Sequence, residues 1–534
     1  MKVEGSIAGQ QVSVQENILD RMIRYVNPIK ANARLQSRLQ SQALSALAGG
    51  YVGASRSRRS MSSWNPGAND ADGDVLSDLP VLRERSRDSV RNNALASGAI
   101  NTAVTGTIGI GSTLKAQVDQ EVLAMSDEDA DAWENNTQRE WKLFWNSFEV
   151  DAARRLTGAD LEELYFRSVL ENGDTFALMP SIPRRGVPYS MKVQLIEADR
   201  VTNKGNKADS LDMSGGIGRS KSGAPLEYHI LTTHPGNTTA GTRQEWQTIR
   251  AFGRETGRKN IIHGYRQLRI GQNRGVPYLS TVIELLKQLT RYTEAELMAA
   301  VVSSMFTVFI KSSNDQGFPQ TTTTSDFGQN AANEEMKLGT GAIVGLGMNE
   351  EISTANPGRP NTAYDPFVMG ILRQIGSQLE IPFEVLIKHF TASFSASRAA
   401  LLEVAKFFRC RQSWTERTFL NVVYENWMME AVAIGRISAP GFLSDPLLRQ
   451  AYLGKEWIWM PMGAIDEVKQ IKAARERIDS GVSTIERETI EINGGSWDRN
   501  HKQSEKEVKA RTDDGLIVDK TAELEPVVVG KEDD

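Results

Sequence analysis

Two strongly helical segments enclose a short β-rich insert, and this order constrains the fold more than any other feature of the chain. From Tyr278 to Val302, the apolar residues Val282, Leu285, Leu286, Leu289, Tyr292 and Leu297 recur at helical spacing. Glu284, Lys287, Gln288, Arg291 and Glu294 take the opposite side. At 1.5 Å per residue this is a rod of roughly 37 Å. Strand-like sequence follows at Phe306–Ile310, then a Thr/Gly/Asn-rich stretch over 317–333, then a second apolar run at Gly341–Gly345. The spacing predicts a second helix over about Pro366–Leu379. A compact enzyme has little use for two bare rods carrying a small β unit at their far end.

Behind the second helix, Ile381, Pro382, Phe383, Val385, Leu386 and Ile387 lead into Lys388, His389, Phe390, Thr391, Ala392, Ser393, Phe394 and Ser395. This Ser/Thr-rich stretch is poor core material and suits a loop pushed into open space. A long helix is expected from Ser397 to about Gly435, with Leu401, Leu402, Ala405, Phe408, Trp414, Phe419, Val422 and Trp427 on its apolar side. Cys410, between Phe408 and Trp414, is expected to be buried and inert.

Upstream, residues 1–45 read as one or two polar amphipathic helices, and 46–78 as an extended arm carrying Tyr51 and Trp64. A helix is expected over about 79–108, with Leu82, Val90, Leu95 and Ile100 inward and Arg83, Arg85, Arg87 and Arg91 outward, ending at Gly109 and Gly111. Further helices are expected at Asp127–Asn146 and Thr157–Asn172, the second capped by Thr157. Strands follow at Asp174–Pro180, Lys192–Ile196, Leu226–Leu231 and Asn260–Ile262. Helices before a run of strands indicate an α+β domain. The last helices are placed at Ala464–Ser480 and Ser483–Asn493, before an acidic tail.

The chemistry the chain lacks is as telling. A chain of 534 residues divides into several domains, and its net charge of −5 argues against wrapping nucleic acid by bulk attraction. A single cysteine excludes an internal disulfide framework. Residues 1–15 carry no apolar run of a signal peptide. Met298–Ile310 is interrupted by Ser303, Ser304 and Thr307 and falls short of the ~18 residues of a membrane span. Gly253-Arg-Glu-Thr-Gly257 has the wrong spacing for a phosphate-cradling loop, and there is no Gly-x-Ser-x-Gly elbow. The five histidines, His229, His234, His263, His389 and His501, are scattered, so no metal or cofactor is expected. The tryptophans read as core or subunit-interface anchors, and the arginines of 83–91 as a solvated or intersubunit helix face.

A series of short motifs carries a resemblance. They are Tyr51-x-Gly53-Ala54, Trp64, Leu82-Arg83-x-Arg85-Ser86-Arg87, Val90-Arg91-Asn92-Asn93, Ile108-Gly109-x-Gly111 and Glu171-Asn172-Gly173-Asp174. Later come Ile262-His263-Gly264-Tyr265-Arg266, Arg269-x-Gly271-Gln272-x-Arg274-Gly275-Val276-Pro277, and the Leu286–Leu297 helix. Phe394-Ser395-x-Ser397-Arg398-Ala399 and Trp459-x-Pro461-Met462-Gly463 complete the set. In this order and spacing the chain resembles the lambda-type portal proteins of tailed bacteriophages from about Tyr51 to Gly495.

The resemblance implies a helix-rich α+β, multi-domain portal fold of wing, stem, clip and crown, forming a ring with a central channel. On that frame, 1–78 is an N-terminal basic arm, 79–277 the α+β wing, 278–304 the first stem helix and 305–362 the clip. Residues 363–387 form the second stem helix, 388–396 the tunnel loop, 397–440 a long wing/channel helix, 441–495 the crown and 496–534 an acidic flexible tail. Lys388, His389, Phe390, Thr391, Ser393, Phe394 and Ser395 would stand at the DNA channel, with Glu284, Lys287, Arg291 and Glu294 along the stem. The implied assembly is a homo-oligomeric ring, generally of twelve subunits, at one capsid vertex of the virion, built in the host cytoplasm. Its implied partners are double-stranded DNA, the terminase large subunit, a head-completion or adaptor protein, and the major capsid and scaffold proteins, with no membrane. No catalytic role is implied. A capsid-maturation protease or other virion enzyme is the alternative, and a shell-forming coat protein a further one; neither needs the rod–insert–rod order.

Overall fold

The computed structural model describes residues 2–7, 10–15, 17–47, 51–55, 58–237, 239, 244–304, 308–312, 350–354, 363–390, 393–463 and 466–516. The chain divides into two units, Met1–Asn69 and Asp70–Asp534. The first begins with an antiparallel hairpin, β1 (Lys2–Ile7) and β2 (Gln10–Gln15), followed by α1 (Ile18–Val26) and α2 (Pro28–Leu47). The hairpin corrects the all-helical expectation for 1–45. Within their own strands Val3 and Ile7, and Val12 and Val14, sit at even spacings, as the strand period of two requires.

In the second unit, α3 (Ala71–Val75) precedes α4 (Leu79–Asn92) and α5 (Ala94–Thr107). The single helix expected here is two. Asn93 takes extended geometry (φ −117°, ψ 117°), and its side chain accepts from the Ala96 N–H, capping α5. β3 (Thr113–Ala116), the short α6 (Gln120–Leu123) and α7 (Asp127–Trp145) follow. Helix α8 (Gly158–Asn172) starts at Thr157, which forms a reciprocal capping box with Asp160.

The strands form small antiparallel sheets. β4 (Asp174–Leu178) lies between β5 (Gln194–Ile196) and, later in the chain, β10 (Ile261–Tyr265). β6 (Met213–Ser214), β7 (Ile217–Arg219), β8 (Pro225–Leu231) and β9 (Trp246–Arg250) make a four-stranded meander. β6, β7 and β9 lay outside the expected strands because Gly-rich, polar segments give little alternation to read.

Helix α9 (Ile283–Ser304) begins five residues later than its apolar pattern predicts. The Tyr278 N–H is held by the Leu170 carbonyl at the end of α8, so the chain docks before it coils. β11 (Val308–Ser312) pairs with β12 (Glu350–Thr354), and this antiparallel pair is the described part of the insert. The apolar run expected to return at 341–345 lies outside the described residues. The return helix is α10 (Tyr364–Gln378), followed by the short α11 (Phe383–Leu386).

α12 (Phe394–Thr415) and α13 (Asn421–Ala433) are joined without a break by one π turn, Glu416–Leu420. Thr415 and Thr418 return their hydroxyls to the carbonyls of Arg411 and Trp414, both at 2.9 Å. The extra residue of a π turn rotates the following face. α12 therefore buries Val404, Phe407 and Phe408 in one core, while α13 buries Val423, Tyr424 and Trp427 in another. α14 (Pro446–Tyr452), β13 (Lys455–Ile458) paired with β3, α15 (Glu467–Asp479), α16 (Ile485–Asn493) and α17 (Trp497–Asp513) complete the chain. The region taken as a flexible tail thus starts with a 17-residue helix.

Three clusters hold this unit together. The largest is aromatic: Trp141 lies 4.9 Å from Trp145 and 5.1 Å from Trp427 between ring centroids, in stacked and edge-on geometries. Trp133, Trp457 and Tyr424 join it, so these tryptophans are core anchors. The second cluster gathers α5, α10, α11, α12 and the start of α9, and the third lies under the strands.

Candidate functional site: a helix pair, an exposed loop and a buried polar hub

Helix α9 is anchored by Leu286 and Leu289 and pairs with α10 through Tyr292, which stacks on Tyr364 at 5.6 Å and meets Phe367 edge-on at 5.0 Å. Glu284, Lys287, Arg291 and Glu294 are all exposed, as their spacing predicts. At 100° per residue they fall within about 80° of one another, forming a stripe of mixed sign along one face.

The loop begins where α11 ends. Val385 and Leu386 are buried, and Lys388 turns the chain with a left-handed φ of 54°. The backbone then closes with the His389 N–H on the Glu384 carbonyl at 3.0 Å. Lys388, His389 and Phe390 are exposed, Phe390 to 48%. Thr391 lies outside the described residues. Ser393 is the N-cap of α12 and accepts from the Ala396 N–H. Phe394 and Ser395 therefore belong to the first turn of α12 and not to the loop, and the helix starts three residues before the expected Ser397. A serine placed to satisfy an orphan N–H, followed by Ala396, Arg398, Ala399 and Ala400, favours this earlier start.

Cys410 corrects another expectation, since it is exposed. Val404, Phe407 and Phe408 define the buried side of α12 at i, i+3 and i+4 spacing, which turns Leu402, Arg409 and Cys410 outward. Leu402, expected inward, is 59% exposed.

The most heavily built polar site stands behind these elements. Asp174, fully buried at the start of β4, accepts from Arg83 Nη2 at 2.7 Å, Arg274 Nε at 2.5 Å, His263 Nε2 at 3.3 Å and the Gly275 N–H at 3.3 Å. Arg274 also donates to the carbonyls of Val201, Gly215 and Ala198, and Arg83 to that of Asn172. Arg83, taken as outward from the sequence, is thus 5% exposed and central. Burial alone would push the Asp174 carboxyl up, but the Arg274 and Arg83 guanidiniums and the His263 bond outweigh it and hold it well below the usual carboxylate range. Burial also lowers Arg83, to about 10, and lowers His263, against the pull of Asp174. Gly173 and Gly275 let the two chain segments touch: a Cβ on Gly275 would lie 1.9 Å from the Gly173 carbonyl oxygen. No apolar pattern could reveal this cluster. The available signal was opposite charge beside glycine in motifs far apart, at Arg83, Gly173-Asp174 and Arg274-Gly275.

Arg87, half-buried, donates to Asn172 and bonds Asp199. Arg85 and Arg91 are exposed. Among the described residues, Glu197, Asp199 and His234 are the one group of ligand type close enough to hold a metal. Asp199 already pairs with Arg83 and Arg87, so its charge is committed to the hub. Also among the described residues, no helix is long and apolar enough to cross a membrane.

Residues 57–412 match the family model described as "Phage portal protein, lambda family". Portal protein B of Escherichia phage lambda is 24% identical over 499 residues, covering 88% of this chain and 91% of that protein. The portal protein of Escherichia phage N15 is 24% identical over 453 residues, 80% of this chain and 83% of that one. Among solved structures, the neck of an empty gene transfer agent (GTA) particle aligns with TM-score 0.41 at 12% identity, over 82% of this chain and 98% of that chain. With its motifs built into the hub and helix α9, and with a family match that covers most of its length, the chain belongs to the lambda family of phage portal proteins.

Proposed function

We propose that copies of this chain close into a ring of twelve at one vertex of a phage head, and that double-stranded DNA enters and leaves through its hole. One observation carries the ring. Past Glu294, the exposed face of α9 turns from charged to apolar: Met298 and Val301 are 64% and 42% exposed, with Leu297 at 67% on its border. At 100° per residue Val301 and Leu297 lie beyond one edge of the charged stripe and Met298 within it, so a neighbour on that flank covers the aliphatic residues while the stripe itself faces the hole. Exposed aliphatic surface at Leu297 and Met298 favours burial against another subunit, and in a ring the adjacent subunit supplies that cover.

The charged part of the stripe fits a channel wall. Helix α9 has 22 residues and spans about 33 Å, along which duplex DNA carries about 19 phosphate charges. A strongly basic wall would hold that duplex by counterion release. A mixed-sign face on a chain of net charge −5 lets it slide, with Lys388, His389 and Phe390 touching it at the narrowest level. The role is structural, not enzymatic. The insert at 305–362 would meet the terminase large subunit during filling and a head-completion protein afterwards. Major capsid and scaffold proteins would contact the outer parts while the particle is built in the host cytoplasm.

The test is assembly. Sedimentation and negative-stain images of the purified chain should show rings with a central hole, and Met298→Glu combined with Val301→Glu should leave monomers of unchanged melting temperature. Normal rings from the double variant would remove the observation on which the reading rests.

A further inference from the structure

Next to the hub lies a cavity of about 180 Å3, lined by residues of β7, β8 and β10 and of the segments around 252–259 and 273. At roughly 30 Å3 per water it has the room of about six waters. Its chemistry is one-sided. Arg219, Lys259, His263 and Asn273 line it together with Tyr228 and Tyr265, and no carboxylate does. Arg219 reaches Asp72, Ser210 and Leu211 only through long contacts of 3.3–3.5 Å from its terminal nitrogens, and its Nε is buried without a hydrogen-bond partner. A buried guanidinium N–H without an acceptor costs free energy that an incoming oxygen would recover.

The wall is also rigid. The His263 ring is held between Phe176 and Tyr265, each at 4.3 Å, and its Nε2 is tied to Asp174, whose charge is already shared with Arg83 and Arg274. Asp72, the carboxylate that Arg219 reaches, is occupied by the Asn273 N–H at 2.9 Å, the Asn273 amide at 2.7 Å and the Ser214 hydroxyl at 2.8 Å.

We propose that this cavity is a binding site for a small oxyanion of the phosphate class, held by the Arg219 Nε–H and the Lys259 ammonium against the aromatic wall around His263. Charge-assisted donors of this kind are the strong ones, and a pocket of this size has room for a free ion. The site is independent of the channel, so its failure leaves the portal reading untouched.

Calorimetric titration of the intact chain with inorganic phosphate, at ionic strength held constant with chloride, should show one saturable site per chain. Lys259→Met, an exposed substitution that leaves the fold alone, should weaken binding at least tenfold. Arg219→Met, which also gives up the contacts to Asp72, Ser210 and Leu211, should abolish it while circular dichroism shows the variant folded in chloride. Hydrogen exchange of 217–228 and 259–265 should slow on adding phosphate to wild type only. Lack of a saturable phosphate signal above the chloride blank, equal binding by both variants, or a response only to a short DNA duplex would each overturn the assignment.

Discussion

Asp174→Asn replaces a buried carboxylate with a group of nearly the same shape and no charge. In the native chain that carboxylate faces two guanidiniums whose side chains are 6% and 3% exposed, and it takes five hydrogen bonds from Arg83, Arg274, His263 and Gly275. The amide would accept on one atom only and turn a donor toward the other guanidinium. Breaking a buried ion pair from one side costs about 3–5 kcal/mol, because the abandoned cations stay buried. For a cooperative body of about 150–250 residues, each kcal/mol corresponds to about 2–4 °C, so the melting temperature should fall by about 6–20 °C. The pH sign follows from the depressed pKa. Stability contributed by Asp174 is fully present above its unfolded pKa of about 3.9 and is lost as pH falls toward the folded value. The gap between wild type and variant should therefore stay flat from pH 8 to 5 and narrow only below about pH 4. Thermal melts followed by tryptophan fluorescence would measure it. As a control, Asp88→Asn removes the exposed Arg91–Asp88 pair and should change stability by less than about 1 kcal/mol. A loss for Asp174→Asn no greater than for Asp88→Asn would refute the reading of the hub as a buried polar clamp.

Deleting 389–392, which spares the Ser393 cap and α12, should leave the number of subunits per ring unchanged while lowering the yield or retention of packaged DNA; a normal yield would remove the loop's role. The Glu162 carboxyl is pushed up to about 7 by burial, partly offset by bonds from Ser112 and Trp145. Its folded pKa is raised, so ionisation opposes the fold: stability should fall by about 3 kcal/mol as pH rises from 4.5 through 7, and Glu162→Gln should flatten that slope. An identical pH profile for the variant would assign the slope to other groups.

Periodicity carries far in this chain where one face is apolar and the other charged. The exposure of Glu284, Lys287, Arg291 and Glu294 and the Thr157 cap were readable, because each depends on residues within a few turns. The boundary between loop and α12 was misplaced by three residues, since a serine serves equally as loop residue and as cap until its partner N–H is known. Leu402 and Cys410 were placed on the wrong side because composition around 400–414 is apolar in several directions, and only the packing of Phe407 and Phe408 selects one.

Local order alone thus dictates the rods, their caps and the stripe along α9, because side chains three and four positions apart must share a face whatever surrounds them. The hub is different in kind. Arg83, Asp174, His263 and Arg274 are separated by up to 191 positions, and each read singly is an ordinary surface charge. Removal from water, which forces opposite charges to find one another, is a property of the folded interior, and it turned Arg83 from an outward residue into a buried one.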